Sequence, residues 1–164
     1  LFDNGEGGIE GGANNKWDTK FYHKYREINL VEGYKNSVLN LLKSGINVIL
    51  VYPLPAVGWH VPNRLLMRYH KLNNYITTSY DRYLERTEES FKMLDDIGQH
   101  PNLYRVYPHK LYCNTVIPGR CITHDKNTIF YADDDHNTNA WANKIKNLII
   151  DKIYKIENKW YINY

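Results

Sequence analysis

Apolar positions along the chain follow two different spacings, and the switch between them lays out the fold. From Glu32 to Ser44 they recur at helical intervals: Tyr34, Val38, Leu41 and Leu42 share one face, and Gly45 follows as a stop. From Asn47 the pattern becomes a continuous apolar run, Val48-Ile49-Leu50-Val51-Tyr52, as in a strand buried on both faces. Helix, glycine and buried strand in that order form the half-unit of a parallel α/β sheet. Pro53-Leu54-Pro55 breaks the strand and leads into Gly58-Trp59-His60-Val61-Pro62. Open α/β sheets place ligand sites beyond the carboxyl ends of their strands, so this loop is a candidate pocket wall.

Further along, Arg64 to Tyr83 is polar and tyrosine-rich and is expected to cross a face as helix or loop. Glu85 to Ile97 predicts a second helix, with Phe91, Leu94 and Ile97 inward and Gly98 ending it. Asn102 to Tyr107 predicts a second strand closed by Pro108, and Thr128 to Tyr131 a third that runs into an acidic corner. Trp141, Ile145, Leu148, Ile149 and Ile153 mark a closing helix from Asn139, with Thr138 as its N-cap. No repeat, linker or low-complexity tract divides the chain, which reads as α/β in a single domain. Leu1 to Asn15 holds five of the ten glycines. It lacks the Gly-Lys-Ser/Thr ending of a phosphate loop and carries acidic side chains that would repel phosphate, so a mobile loop or hairpin is expected.

At 164 residues and 43% hydrophobic, the chain can bury a core. Its net charge of +3 is scattered, with no basic run, so no nucleic-acid partner is expected. Fifteen tyrosines and four tryptophans fit carbohydrate handling as well as an ordinary core and rim. No apolar run approaches the ~20 residues that span a bilayer, and no signal peptide is evident. Leu1 in place of Met reads as a boundary rather than a natural start. Cys113 and Cys121 flank seven residues that include Pro118-Gly119, a turn able to bring them within bridging distance; two free thiols are the alternative. A bridge there would contribute about 2–3 kcal/mol and imply an oxidising compartment. No second Cys/His pair stands at zinc-ligand spacing, and no metal is expected.

The chemistry concentrates in Tyr131-Ala132-Asp133-Asp134-Asp135-His136. A turn in Asp-x-x-His lets the Asp133 carboxylate reach the His136 ring, fix its tautomer and stabilise the imidazolium formed when it takes a proton. Asp134 and Asp135 would raise the imidazole pKa further. A solvated acidic turn is one alternative. A divalent-cation loop is another, although the glycine and spaced oxygen ligands of a calcium loop are absent. Among the other histidines only His60, beside Trp59 in the post-strand loop, is placed for substrate binding. A base of this kind needs a nucleophile, and none of Ser37, Ser44, Ser79 and Ser90 stands in a strand-to-helix glycine turn.

The order of these pieces resembles the C-terminal part of an SGNH (Ser-Gly-Asn-His) domain of the kind fused behind acyltransferase family 3 membrane proteins. The resemblance rests on Phe2-Asp3-Asn4-Gly5-Glu6-Gly7-Gly8, Val48 to Pro55, the pair Cys113 and Cys121, and Phe130 to His136, which span almost the whole chain. It implies a three-layer α/β/α fold whose N-terminal portion, with a Gly-Asp-Ser nucleophile block, lies before Leu1. It also implies Asp133 and His136 as catalytic acid and base, and a Cys113–Cys121 disulfide. The implied activity is O-acetylation of a bacterial surface glycan of the lipopolysaccharide O-antigen type, in a periplasmic domain of an inner-membrane protein. No resident cofactor is implied, the acetyl donor (acetyl-CoA) being used by the membrane domain. A carbohydrate acetyl esterase and a non-catalytic glycan-binding module are the competing readings. Where the family continues Leu-Ser and then Gly-Ala after the histidine, this chain has Asn137-Thr138-Asn139-Ala140-Trp141.

Overall fold

The computed structural model describes residues 20–23, 26–67 and 75–162; the glycine-rich stretch Leu1 to Asn15 lies outside them. In chain order the elements are β1 (Lys20–His23), β2 (Arg26–Asn29), α1 (Leu30–Lys43), β3 (Val48–Val51), α2 (Val61–Met67), β4 (Thr77–Ser79), α3 (Tyr80–Asp95), β5 (Leu103–Val106), β6 (Arg120–Ile122) and α4 (Asn139–Ile162). A 3₁₀ turn, Pro108–Leu111, follows β5.

α1 starts where the Asn29 side chain accepts from the amides of Val31 and Glu32, at 3.0 and 3.2 Å. It stops at Ser44, and Gly45 adopts φ +78°, a conformation that suits a residue without Cβ. Its buried face is centred on Val38, Leu39 and Leu42, which turns Tyr34 and Leu41 onto the exposed flank of the predicted stripe.

The two predicted strands, β3 and β5, pair in parallel in register Val48↔Leu103 to Val51↔Val106; Val51 at the end of β3 is exposed, so the strand is not buried on both faces along its whole length. α1 and α3 cover one face of this pair in a core of Val38, Leu42, Leu50, Tyr52, Leu94, Ile97 and Leu103. α4 packs along β5. Helices about a parallel sheet are the α/β arrangement expected.

Three expectations need correction. α3 begins at Tyr80 rather than Glu85, because the Ser79 hydroxyl caps it by accepting from the Arg82 amide at 3.2 Å. Tyr83, which reads as part of a polar stretch, is buried in that first turn with its hydroxyl donating to Pro53 O at 2.8 Å. The stretch from Arg64 also holds the end of α2 and the strand β4, paired antiparallel with β6. Finally, Thr128 to Tyr131 is no strand. Phe130 N donates to Thr123 O at 3.0 Å, while Phe130 O accepts from Thr138 N at 2.9 Å, so the segment changes partners too fast to build a ladder.

Phe130 and Tyr131 are nevertheless fully buried. They belong to a second core with Val57, Val61, Tyr112, Ile122, Trp141 and the Cys113–Cys121 disulfide. Trp141, in the first turn of α4, lies flat on Phe130 with ring centroids 3.4 Å apart and planes 15° from parallel. α4 continues beyond this core, and Ile153 on its predicted inner face is exposed.

Candidate active site

The acidic corner is a loop closed at both ends by the backbone. Ala132 N donates to His136 O at 2.8 Å, and Thr138 N to Phe130 O at 2.9 Å, with Tyr131 and Asn137 facing each other in an isolated bridge. Within it, Asp133 turns its carboxylate back on its own chain. Oδ1 accepts from the amides of Asp135 (3.0 Å) and His136 (2.8 Å), the local bonding that suits Asp to tight turns. That leaves Oδ2 aimed at the ring, 2.9 Å from His136 Nδ1.

Asp135 Oδ1 lies 2.8 Å from the same nitrogen as an ion-pair contact, so a second carboxylate flanks the Nδ1 that Asp133 binds. With only acceptors there, Nδ1 carries the proton and Nε2 is the basic nitrogen. The His136 side chain is 77% exposed.

The electrostatics follow from these bonds. The amides of His136 and then Asp135 hold the Asp133 carboxyl below the usual carboxylate range, helped by the His136 ring. The bond to Asp133 raises the His136 pKa above 6.5, reinforced by the charges of Asp133 and Asp135, and more weakly by Asp134. Asp133 thus stays ionised to lower pH than a free carboxyl, and His136 binds a proton more readily than a free imidazole.

The post-β3 loop docks directly on this corner. Val57 N donates to Asp134 O at 2.8 Å and Val61 N to Asp133 O at 3.0 Å. The buried Tyr131 hydroxyl donates to Pro55 O at 2.7 Å. The predicted pocket wall and the predicted dyad are therefore in contact through their backbones. Trp59 is half-buried under the Arg64 guanidinium, 5.1 Å from its ring centroid. His60 is exposed, and its Nδ1 accepts from Asn63 N at 3.4 Å in the first turn of α2.

The serines are occupied in helices. Ser37 and Ser44 donate to the carbonyls of Gly33 and Asn40, Ser79 caps α3, and Ser90 is buried within it. Donor atoms of Asp133, Asp135 and His136 fall within 4.8 Å of one another. This closeness is that of the imidazole hydrogen bonds themselves, and exposed acidic groups commonly cluster so without an ion.

Two supports were not foreseen from the sequence. Tyr112 OH donates to Asn137 Oδ1, anchoring the residue after the histidine to the second core. Asp135 touches the ring directly, where adjacency alone implied only a nearby charge. No sequence signal announces the first; the second follows only once the turn closes.

The arrangement can hold a proton on Nε2 and stabilise the resulting imidazolium. A family model described as "SGNH domain (fused to AT3 domains)" matches residues 4–151. No curated protein and no solved structure matches the chain.

Proposed function

This chain belongs to the family of SGNH domains fused to AT3 domains, and from that premise we propose that it supplies the acid–base half of an O-acetyl transfer site acting on a bacterial surface glycan. The family match supports a role connected with acyl transfer, beside a membrane acyltransferase domain. The observation that carries the finer reading is the Asp133–His136 contact of 2.9 Å, made by a carboxylate that two backbone amides hold in place.

In this mechanism a serine from the part of the SGNH domain preceding this chain attacks the acetyl carbonyl. His136 Nε2 takes the serine proton, and the imidazolium is stabilised by Asp133 and Asp135. Collapse of the tetrahedral adduct passes that proton to the departing donor group and leaves an acetyl-enzyme. His136 then removes a proton from a sugar hydroxyl, whose oxygen takes the acetyl group and releases the serine. Trp59 and His60 stand in the wall where the acceptor would lie. The Cys113–Cys121 disulfide fits an oxidising location, and the periplasm is the compartment we propose.

Hydrolysis by the same residues is the second reading, favoured by the 77% exposure of the His136 side chain, which leaves water free to reach it. The test uses the intact protein with an acetyl donor, with and without a glycan acceptor. Acetylated glycan that disappears in His136→Ala is expected. Acetate release indifferent to acceptor would replace transferase by esterase, and unchanged acetylation in His136→Ala would remove the catalytic assignment altogether.

A further inference from the structure

A second feature of the chain is unrelated to the corner. Between the end of β5, the 3₁₀ turn and the middle of α4 lies a cleft of about 240 Å³. Its lining combines Val106, Tyr107, Leu111 and Leu148 with Arg105, Lys110, Lys152 and Lys155, and Asp151 is the one carboxylate among the described residues that line it. Leu148, Asp151, Lys152 and Lys155 recur at i, i+3, i+4 and i+7, so one face of α4 presents all of them together.

The fold engages two of these cations. The Arg105 guanidinium is tied to groups outside the cleft, donating from Nε to Tyr52 OH at 3.1 Å and from Nη2 to Gly98 O at 2.6 Å, which leaves the three lysines as the cations available to a ligand. Lys110 Nζ sits 4.8 Å from the centroid of the Tyr107 ring. Three lysines and several apolar side chains therefore line one concave site, with Lys110 placed by the Tyr107 ring.

We propose that this cleft binds a sugar unit bearing an oxyanion, a phosphate or a carboxylate. Lys152, Lys155 and Lys110 converge on the anionic group, where charge-assisted hydrogen bonds are strongest. Leu111 and Leu148 accept the apolar face of the ring. Asp151 is the feature that selects a sugar over a bare polyanion: a carboxylate among cations accepts hydroxyl donors but repels a second phosphate. The volume is smaller than the ~300–1,000 Å³ of drug-sized ligand sites, which suits one sugar residue and disfavours a flat membrane or a nucleic-acid strand. At 1.5 Å per residue, the helix carries these side chains about 14–24 Å from its start beside His136, so the cleft is separate from the corner.

The experiment titrates the protein, without any acyl donor, with glucose 1-phosphate, glucuronic acid, glucose and inorganic phosphate, reading amide chemical shifts around Tyr107, Lys110 and Leu148. Because no acetyl group is present, failure of the acyl-transfer reading leaves the result untouched. Both anionic sugars should bind, glucose about tenfold more weakly, and the Lys152→Gln/Lys155→Gln variant about tenfold more weakly than the parent for the anionic sugars. Both substitutions lie on the cleft-facing side of α4, outside both hydrophobic cores, and far-ultraviolet circular dichroism checks that the variant is folded. Equal affinity for glucose, or unchanged affinity in the double variant, overturns the proposal. Inorganic phosphate binding as tightly as glucose 1-phosphate reduces the site to a simple anion patch, which also overturns it. So does co-sedimentation with phosphatidylglycerol vesicles that the double variant abolishes when neither anionic sugar binds.

Discussion

Replacing Trp141 by alanine tests whether the second core holds the corner in place. The indole is 3% exposed, lies flat on Phe130 and meets Tyr112 edge-on with centroids 5.4 Å apart. Burying roughly 200 Å² at about 25 cal/mol per Å² corresponds to ~5 kcal/mol, an upper figure because the unfolded chain already shelters some of that area. Removal of a buried Phe or Trp side chain destabilises by about 3–5 kcal/mol, so Trp141→Ala should lower stability by about 4 kcal/mol. Against the ~5–15 kcal/mol of a typical domain this is a large fraction. Trp141→Phe keeps a ring on Phe130 and should lose about half as much. Equilibrium urea unfolding measures both, with an unchanged m-value confirming that the folded state is lost in the same way. A loss below about 1 kcal/mol for the alanine variant would refute the packing argument. So would a phenylalanine variant as damaged as the alanine one.

Three further outcomes follow from the site and the core beneath it. Asp133→Asn removes the anion that raises the His136 pKa, so the imidazole midpoint, followed by NMR against pH, should move down; Asp135→Asn should move it down less. In the parent, the His136 contribution to stability is fully present below pH 6.5 and fades as pH rises through the raised folded pKa, whereas that of Asp133 is present above 3.8 and fades on acidification. A midpoint that stays put in Asp133→Asn would show that the contact does not set the histidine's basicity. Reduction of Cys113–Cys121, eight positions apart, should remove about 2.5 kcal/mol by loop-closure entropy, read as a lower urea midpoint. An identical midpoint under reducing conditions would contradict that account.

The parts of this molecule that could be read in advance are those governed by local periodicity. Val48 to Tyr52 has no competing pattern, and Gly45 stops α1 as its position after the apolar stripe implied, whereas the Asn29 cap that starts the helix two residues before Glu32 was not read. Asp133 and His136 were also legible, because three residues of separation leave a carboxylate little choice but to fold back. The failures share a cause. Tyr80 and Tyr83 count as polar in a periodicity pattern, yet Tyr83 is buried and Tyr80 half-buried, which hid the start of α3. Phe130 and Tyr131 are apolar enough for a strand, but their partners, Thr123 on one side and Asn137 and Thr138 on the other, are chosen by tertiary closure. The docking of the post-β3 loop depends on Tyr131 reaching a carbonyl 76 residues away, and nothing local encodes that.

The backbone closure of the corner also has a kinetic and evolutionary side. Chain entropy opposes bringing two groups together in proportion to the logarithm of the chain between them. Here only two residues lie between Asp133 and His136 and the loop is pinned at both ends, so carboxylate and imidazole align as soon as the loop forms. Their effective concentration for one another is set locally and resists breathing of the sheet. What remains variable is the orientation of the loop as a unit, governed by its seams to Pro55, Val57 and Val61. A corner built this way behaves as a portable cassette: in the proposed mechanism it would meet a nucleophile from a different stretch of chain without its own internal alignment being renegotiated.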